Sequence, residues 1–209
     1  TGTPTFTATA VDGSVFGTAA GAITYSAPTS RQFDFNDVNS PTQTPTNPGY
    51  LGVSPTTSLY SAAQGYGWIE AVGGFDRSVS SGSYADLVRD GNINSGVRDF
   101  RIDNLGTSTA YSVTLTMGDV GAARDLMSVS VVTGSGTGVS GVSSAFGQVV
   151  QRTFTATSNS SGPMMLQFAD GGGDASWVIN GMELHSTVAV IPTPSITLGV
   201  ANTTADGTT

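Results

Sequence analysis

RDFRIDNLGTSTAYSVTLTMGD, residues 98–119, is the stretch that decides the fold class. Phe100 and Ile102 alternate with charged residues, and Tyr111, Val113, Leu115 and Met117 alternate with Ser112, Thr114 and Thr116. A period of two puts one set on an apolar face and the other on a wet face. The segment therefore predicts a strand, a turn at Asn104-Leu105-Gly106, and a longer second strand. Threonines suit the solvent side of a pleated sheet. The second strand stops at Gly118-Asp119, which leaves a carboxylate on a loop at the edge of a sheet.

Outward from this segment the same grammar repeats. Strands are predicted at 67–72, 85–89, 97–103, 110–117, 126–133, 148–157, 164–168 and 177–184, with an earlier one beginning at Phe33-Asp34-Phe35. Turn signals separate them: Gly74, Gly82, Gly91, Gly134-Ser135-Gly136, Ser161-Gly162-Pro163 and Gly171-Gly172-Gly173. Helix is expected only as single turns at 58–64 and 120–126. Many short strands with regular turns predict an all-β jelly-roll sandwich over residues 32–185. Residues 1–31 read as an N-terminal arm or hairpin, because Thr5 to Val11 alternates and Asp12-Gly13 follows as a turn. Residues 186–209 read as a C-terminal strand and linker segment around Pro192-Thr193-Pro194. Pro41, Pro45 and Pro48 make 39–49 a long loop.

Composition excludes several functions. The net charge is -8, and all seven basic residues are arginines. An acidic chain does not suit nucleic acid, which needs a basic surface. No apolar run reaches the ~20 residues of a membrane-spanning helix. Cysteine is absent. Acidity together with abundant Thr, Ser and Gly suits a secreted or cell-surface bacterial protein, and the chain reads as part of a larger precursor. Catalysis finds little support. His185 is the single histidine, no Gly-x-Ser-x-Gly elbow is present, and the only glutamates are Glu70 and Glu183.

Candidate binding residues follow from residue chemistry. Tyr66 and Trp68 share parity on one strand and form either a stacking platform for pyranose rings or part of the core. Trp177 is expected in the core. Arg89, in one of three adjacent Arg-Asp pairs, can fork onto sugar hydroxyls or a uronate. Asp119 is placed to accept from a sugar hydroxyl. Asp34 and Asn36, with Asp170 and Asp174 flanking three glycines, offer hard oxygens suited to calcium.

The ordered set Phe33-Asp34-Phe35, Gly49-Tyr50-Leu51-Gly52-Val53, Gly65-Tyr66-Gly67-Trp68, Arg89-Asp90, Phe100 to Leu105, Tyr111 to Asp119 and Trp177 to Leu184 resembles the galactose-binding-like jelly rolls. It is most similar to those attached to bacterial polysaccharide-degrading enzymes, such as rhamnogalacturonan acetylesterases and agarases. The resemblance covers about residues 32–185. It leaves both arms unexplained, and the 39–48 loop is longer than such a module needs. It implies a noncatalytic module that binds a polysaccharide or packs against neighbouring domains, with one structural calcium ion. The rival reading is a structural unit of a cell-surface or filamentous assembly, whose terminal strands pair with neighbouring sheets.

Overall fold

The computed structural model describes residues 5–9, 15–20, 30–37, 46–77 and 85–187. The chain divides into two units. One spans residues 28–189, and the other contains the hairpin of β1 (Thr5–Thr9) and β2 (Val15–Ala20). The hairpin is antiparallel, with a bulge between Ala8 and Thr9. The alternating N-terminal segment is therefore paired within the chain over Thr5–Thr9. The expected strand at 188–200 lies outside the described residues.

The larger unit is an all-β sandwich. Its six-stranded sheet has the order β11 (Ser135–Gly136), β13 (Val149–Thr157), β9 (Ala110–Gly118), β16 (Gly181–Ser186), β3 (Arg31–Phe35), β4 (Leu51–Val53). Within it β3 and β4 run parallel, and the other pairs are antiparallel. The facing sheet has the order β12 (Val139–Ser144), β10 (Arg124–Thr133), β14 (Met164–Asp170), β8 (Arg98–Ile102), β5 (Tyr66–Trp68). A third sheet joins β15 (Trp177–Ile179), β7 (Asp90–Asn94) and β6 (Gly73–Asp76). The helix α1 (Ala85–Arg89) precedes β7.

The core follows from strand parity. Phe33 and Phe35 from one sheet meet Trp68 and Phe100 from the other, at ring-centroid distances of 5.2–5.8 Å. Val113, Leu115, Met117, Met182 and Leu184 complete one inner face, and Ile102, Leu166 and Phe168 the other; all are buried. Trp177 packs on Trp68 and Phe168, as expected of a core residue.

Four local expectations are corrected. Residues 85–89 are helical, because Leu87 must fold back onto Gly181 of β16, where a Cβ would sit 2.7 Å from Leu87 Cδ1. Residues 177–184 are two strands in different sheets, divided at Asn180. Residues 120–126 hold a tight turn closed by Ala122 N–H to the Asp119 carbonyl (3.0 Å), and β10 begins at Arg124. The helical turn expected at 58–64 is confined to one i→i+4 turn, Gly65 N–H to the Ser61 carbonyl (2.8 Å), with isolated bridges at Leu59 and Ser61.

Candidate functional site

Most sequence-predicted ligand residues are committed to the fold. Trp68 is fully buried and donates its indole N–H to Asn92 Oδ1 at 2.7 Å. Its faces are covered by Phe35, Phe100, Phe168 and Trp177, so it offers no stacking platform. Tyr66 shares the inward parity and is half-buried against Phe33 at 5.1 Å. Arg89 forks onto Asp76 at 2.7 and 2.9 Å. Asp119 is fully buried, not on an open loop. Arg77 grips both of its oxygens (2.7 and 2.8 Å), Arg124 adds a third bond (2.8 Å), and the Gly121 N–H a fourth (2.8 Å). Burial pushes the Asp119 carboxyl up, but the two guanidiniums and that N–H outweigh it and hold it down at about 2. In the pairs Arg98-Asp99 and Arg124-Asp125 neighbouring side chains on a strand point apart, and Arg89 ends α1 where Asp90 begins β7. The three arginines pair instead with Glu70, Asp119 and Asp76.

The four predicted calcium ligands do not converge. Asp174 is taken by Arg124 at 2.7 Å, and Asp170 Oδ1 accepts the Gly172 N–H at 2.8 Å. Asp34 and Asn36 lie elsewhere, in a buried polar network at the end of β3. Asn47 N–H donates to Asp34 Oδ2 (2.6 Å), Asn36 Nδ2 to the Asp34 carbonyl (2.9 Å), and Asn92 Nδ2 to the Asn36 carbonyl (2.8 Å). Asn180 enters through its carbonyl, which accepts the Phe35 N–H, and through Nδ2, which donates to the Asp90 carbonyl, both at 2.8 Å. The oxygens Asp34 Oδ1, Asn36 Oδ1 and Asn180 Oδ1 are buried without a hydrogen-bond partner among the described residues. Burial is the main reason that the Asp34 carboxyl is pushed up to about 8; the Asn47 N–H opposes this, and Asp90 and Asp86 add to it. Among the described residues, no three His, Cys, Asp or Glu side chains gather at one metal-sized point.

The open chemistry lies on the outer face of the six-stranded sheet. Alternation turns the polar residues of β13, β9, β16 and β3 outward, and the register aligns them. Thr153 stands opposite Thr114, Thr114 opposite Glu183, and Glu183 opposite Gln32, making one row across four strands. Thr155, Ser112 and His185 form a second row, and Gln151 and Thr116 begin a third. In that third row Gly181 has no side chain, and Leu87 of α1 fills the space. The result is a groove of about 350 Å³, with Leu87, Val88 and Val149 as apolar walls and Thr116 and Gln151 as polar lining.

Hydrogen bonds hold this face in place. Thr114 and Thr153 hydroxyls lie 3.0 Å apart, and Gln151 Nε2 donates to Thr116 Oγ1 at 3.3 Å. The Tyr50 hydroxyl donates to Glu183 Oε1, and His185 Nε2 lies 3.1 Å from Glu183 Oε2. Burial raises the Glu183 carboxyl, but bonds from Tyr50, His185 and Gln32 bring it below the usual carboxylate range. Arg31 and Arg152 pair across the ladder with inward-facing Leu184 and Leu115, so they lie on the opposite side of the sheet. Sequence reasoning missed this site. The outward positions of 148–157 and 177–184 were readable by parity, but their alignment into rows depends on a register that parity does not set.

No protein-family model matches the chain, and no curated protein matches it. Solved structures do. A β-glucuronidase of Bacteroides uniformis superposes with a TM-score of 0.52 at 14% identity, covering 77% of this chain and 18% of that one. The ANX1 ectodomain of Arabidopsis thaliana superposes with a TM-score of 0.50 at 11% identity, covering 77% of this chain and 48% of that one. The chain thus spans less than half the length of either. At these identities the likeness is one of fold, a β-sandwich compatible with the galactose-binding-like jelly rolls.

Proposed function

We propose that the chain is a noncatalytic carbohydrate-binding module of an exported bacterial protein, and that neutral polysaccharide lies in the groove between α1 and the six-stranded sheet. The observation that carries this reading is the alignment of polar rows beside an apolar wall. A sugar ring has an apolar face and a hydroxyl edge. Leu87, Val88 and Val149 suit the first, and Thr116, Gln151, Thr114 and Glu183 the second. The face carries the Glu183 carboxylate and none of the seven arginines ion-paired to it, so an acidic sugar would be repelled there.

The test is a panel of soluble neutral polysaccharides in affinity electrophoresis. Gln151→Ala and Glu183→Gln are each expected to weaken binding roughly 5- to 10-fold, the worth of about one hydrogen bond. Gln151 is exposed, so its variant should barely move the melting temperature. Glu183 is half-buried and bonded to Tyr50 and His185, so its variant is compared at a temperature where both proteins are fully folded. A panel without a single retarded band would overturn the reading and favour the structural-unit alternative.

We also propose a structural calcium ion, with Asp34, Asn36 and Asn180 as its donors in place of the Asp170 loop. Three buried, unpartnered hard oxygens in one network fit such an ion, whereas Asp174 is already bound to Arg124. Its contribution would be stability alone. Calcium is expected to raise the melting temperature above that in excess chelator, with the concentration dependence of native-state binding. Asp34→Asn should reduce the increment, and Asp174→Asn should leave it intact. Identical melting in calcium and chelator would count against the site.

A further inference from the structure

A second pocket, of about 150 Å³, lies on the five-stranded sheet. Its floor is one cross-strand row of that sheet: Arg101 of β8 stands opposite Met165 of β14, and Met165 opposite Thr133 of β10. Asn159, Ser161 and Pro163 of the β13–β14 loop close its side. The loop is built rather than loose. Asn159 N–H donates to the Pro163 carbonyl (2.9 Å), Gly162 N–H to the Asn159 carbonyl (3.1 Å), and Ser108 N–H to that same carbonyl (2.9 Å).

Arg101 is held from behind. Its guanidinium lies over the Tyr60 ring at 4.6 Å, and Nε donates to Asp103 Oδ1 at 2.8 Å. The Tyr60 hydroxyl donates to Asp103 Oδ2 at 2.6 Å, so both carboxylate oxygens are occupied. The two Nη groups have no hydrogen-bond partner among the described residues. Asn159 is oriented likewise. Ser161 donates to its Oδ1 through N–H (2.9 Å) and Oγ (3.0 Å), which leaves Nδ2 as a donor unused among the described residues. The unused hydrogen-bonding capacity is thus donor-rich and includes a planar fork, which matches a carboxylate. The volume is below that of a typical small-molecule site, so it suits a single residue and not a chain segment. Met165 and Pro163 supply apolar surface for a ring, and Thr133 and Ser161 supply hydroxyls.

We propose that this pocket binds a terminal uronic acid residue, its carboxylate received by Arg101 and Asn159. The sugar part of this inference rests on the carbohydrate reading above; the carboxylate part does not. A polysaccharide with both neutral and uronate residues would satisfy both sites.

The experiment titrates isotopically labelled protein with galacturonate, galactose and acetate, and follows amide shifts by NMR. Galacturonate is expected to shift residues 159–165 and 101, and to bind at least tenfold more tightly than galactose or acetate. Arg101→Gln should weaken it at least tenfold, and Arg101→Lys should not restore it, because the ammonium lacks the fork. Arg152→Gln, which removes a charge on the other sheet, should leave it unchanged. Amide spectra of the variants establish that they stay folded. Equal binding by Arg101→Gln, or galactose binding as tightly as galacturonate, would overturn the proposal. Acetate binding as tightly as galacturonate would reduce the pocket to a simple anion site and overturn the uronate assignment. Galacturonate bound here while every neutral polysaccharide fails would sustain this proposal and remove only the groove.

Discussion

Asp119→Asn is expected to destabilise the sandwich by about 3 kcal/mol while leaving carbohydrate binding unchanged. The carboxylate is fully buried and accepts four bonds: two from Arg77, one from Arg124 and one from the Gly121 N–H. Removing one partner from a buried ion network leaves the others' charge uncompensated, which costs about 3–5 kcal/mol. The lower end applies here because Arg77 is 36% exposed, so solvent screens part of the loss. Arg124 is the more sensitive partner, since it also holds Asp174 and so ties the β14–β15 loop to β10. Chemical denaturation gives the stability change, and the polysaccharide panel gives the binding. A variant of full stability with impaired binding would reverse the assignment and return Asp119 to the role of a ligand residue.

The metal-free protein should lose stability between pH 4 and pH 8, the opposite of what a salt-bridged aspartate produces. The folded-state value for Asp34 is about 8, against an ordinary 3.8, so the native state holds a proton that the unfolded chain has released. Stability therefore falls as pH rises across that window. Above it the buried carboxylate penalty is complete, on the order of 5 kcal/mol. Asp119 acts in the other direction at lower pH. Its value of about 2 contributes stability above pH 4 that disappears as pH drops toward 2. Together these two groups place the optimum of the chelated protein near pH 4. Asp34→Asn should flatten the limb above pH 4, because asparagine keeps an acceptor for the Asn47 N–H without a charge to bury. Calcium should flatten it as well. Melting curves in chelator that stay level from pH 5 to pH 8 would show that the carboxyl ionises freely in the native state.

The strands of the sandwich were legible where one face is buried and the other wet. The predicted 110–117 and 164–168 became β9 and β14 with small changes at their ends, because Tyr111 to Met117 alternates cleanly and Met164, Leu166 and Phe168 share the buried face. The failures are places where distant contacts set the local structure. Ala85–Arg89 has a composition that fits either state, and it becomes helical where Leu87 meets Gly181, nearly a hundred residues away. β12 is Gly- and Ser-rich and carries a weak pattern, yet it pairs with β10 through Met127 opposite Val142. The break at Asn180 carries a signal in the Asn180-Gly181 pair, but the apolar residues on either side, Val178 and Met182, are both buried, and only the fold shows that they lie in different sheets.

Site residues divide along the same line. Parity alone determined that Tyr66 and Trp68 share a face and that Ser112, Thr114 and Thr116 share another, because side chains alternate along any strand. Which face meets the core was a tertiary decision. Trp68 turned inward because Phe35, Phe100 and Trp177 converge on it, and burying four aromatic rings together outweighs exposing one. In the same way, composition alone makes charged residues few and all seven Lys or Arg positions arginine. The packed structure alone places Asp119 between two of those arginines and Arg101 in the lining of a pocket. Charge partners are chosen by distance in space, and neighbours in sequence on a strand point to opposite sides of the sheet.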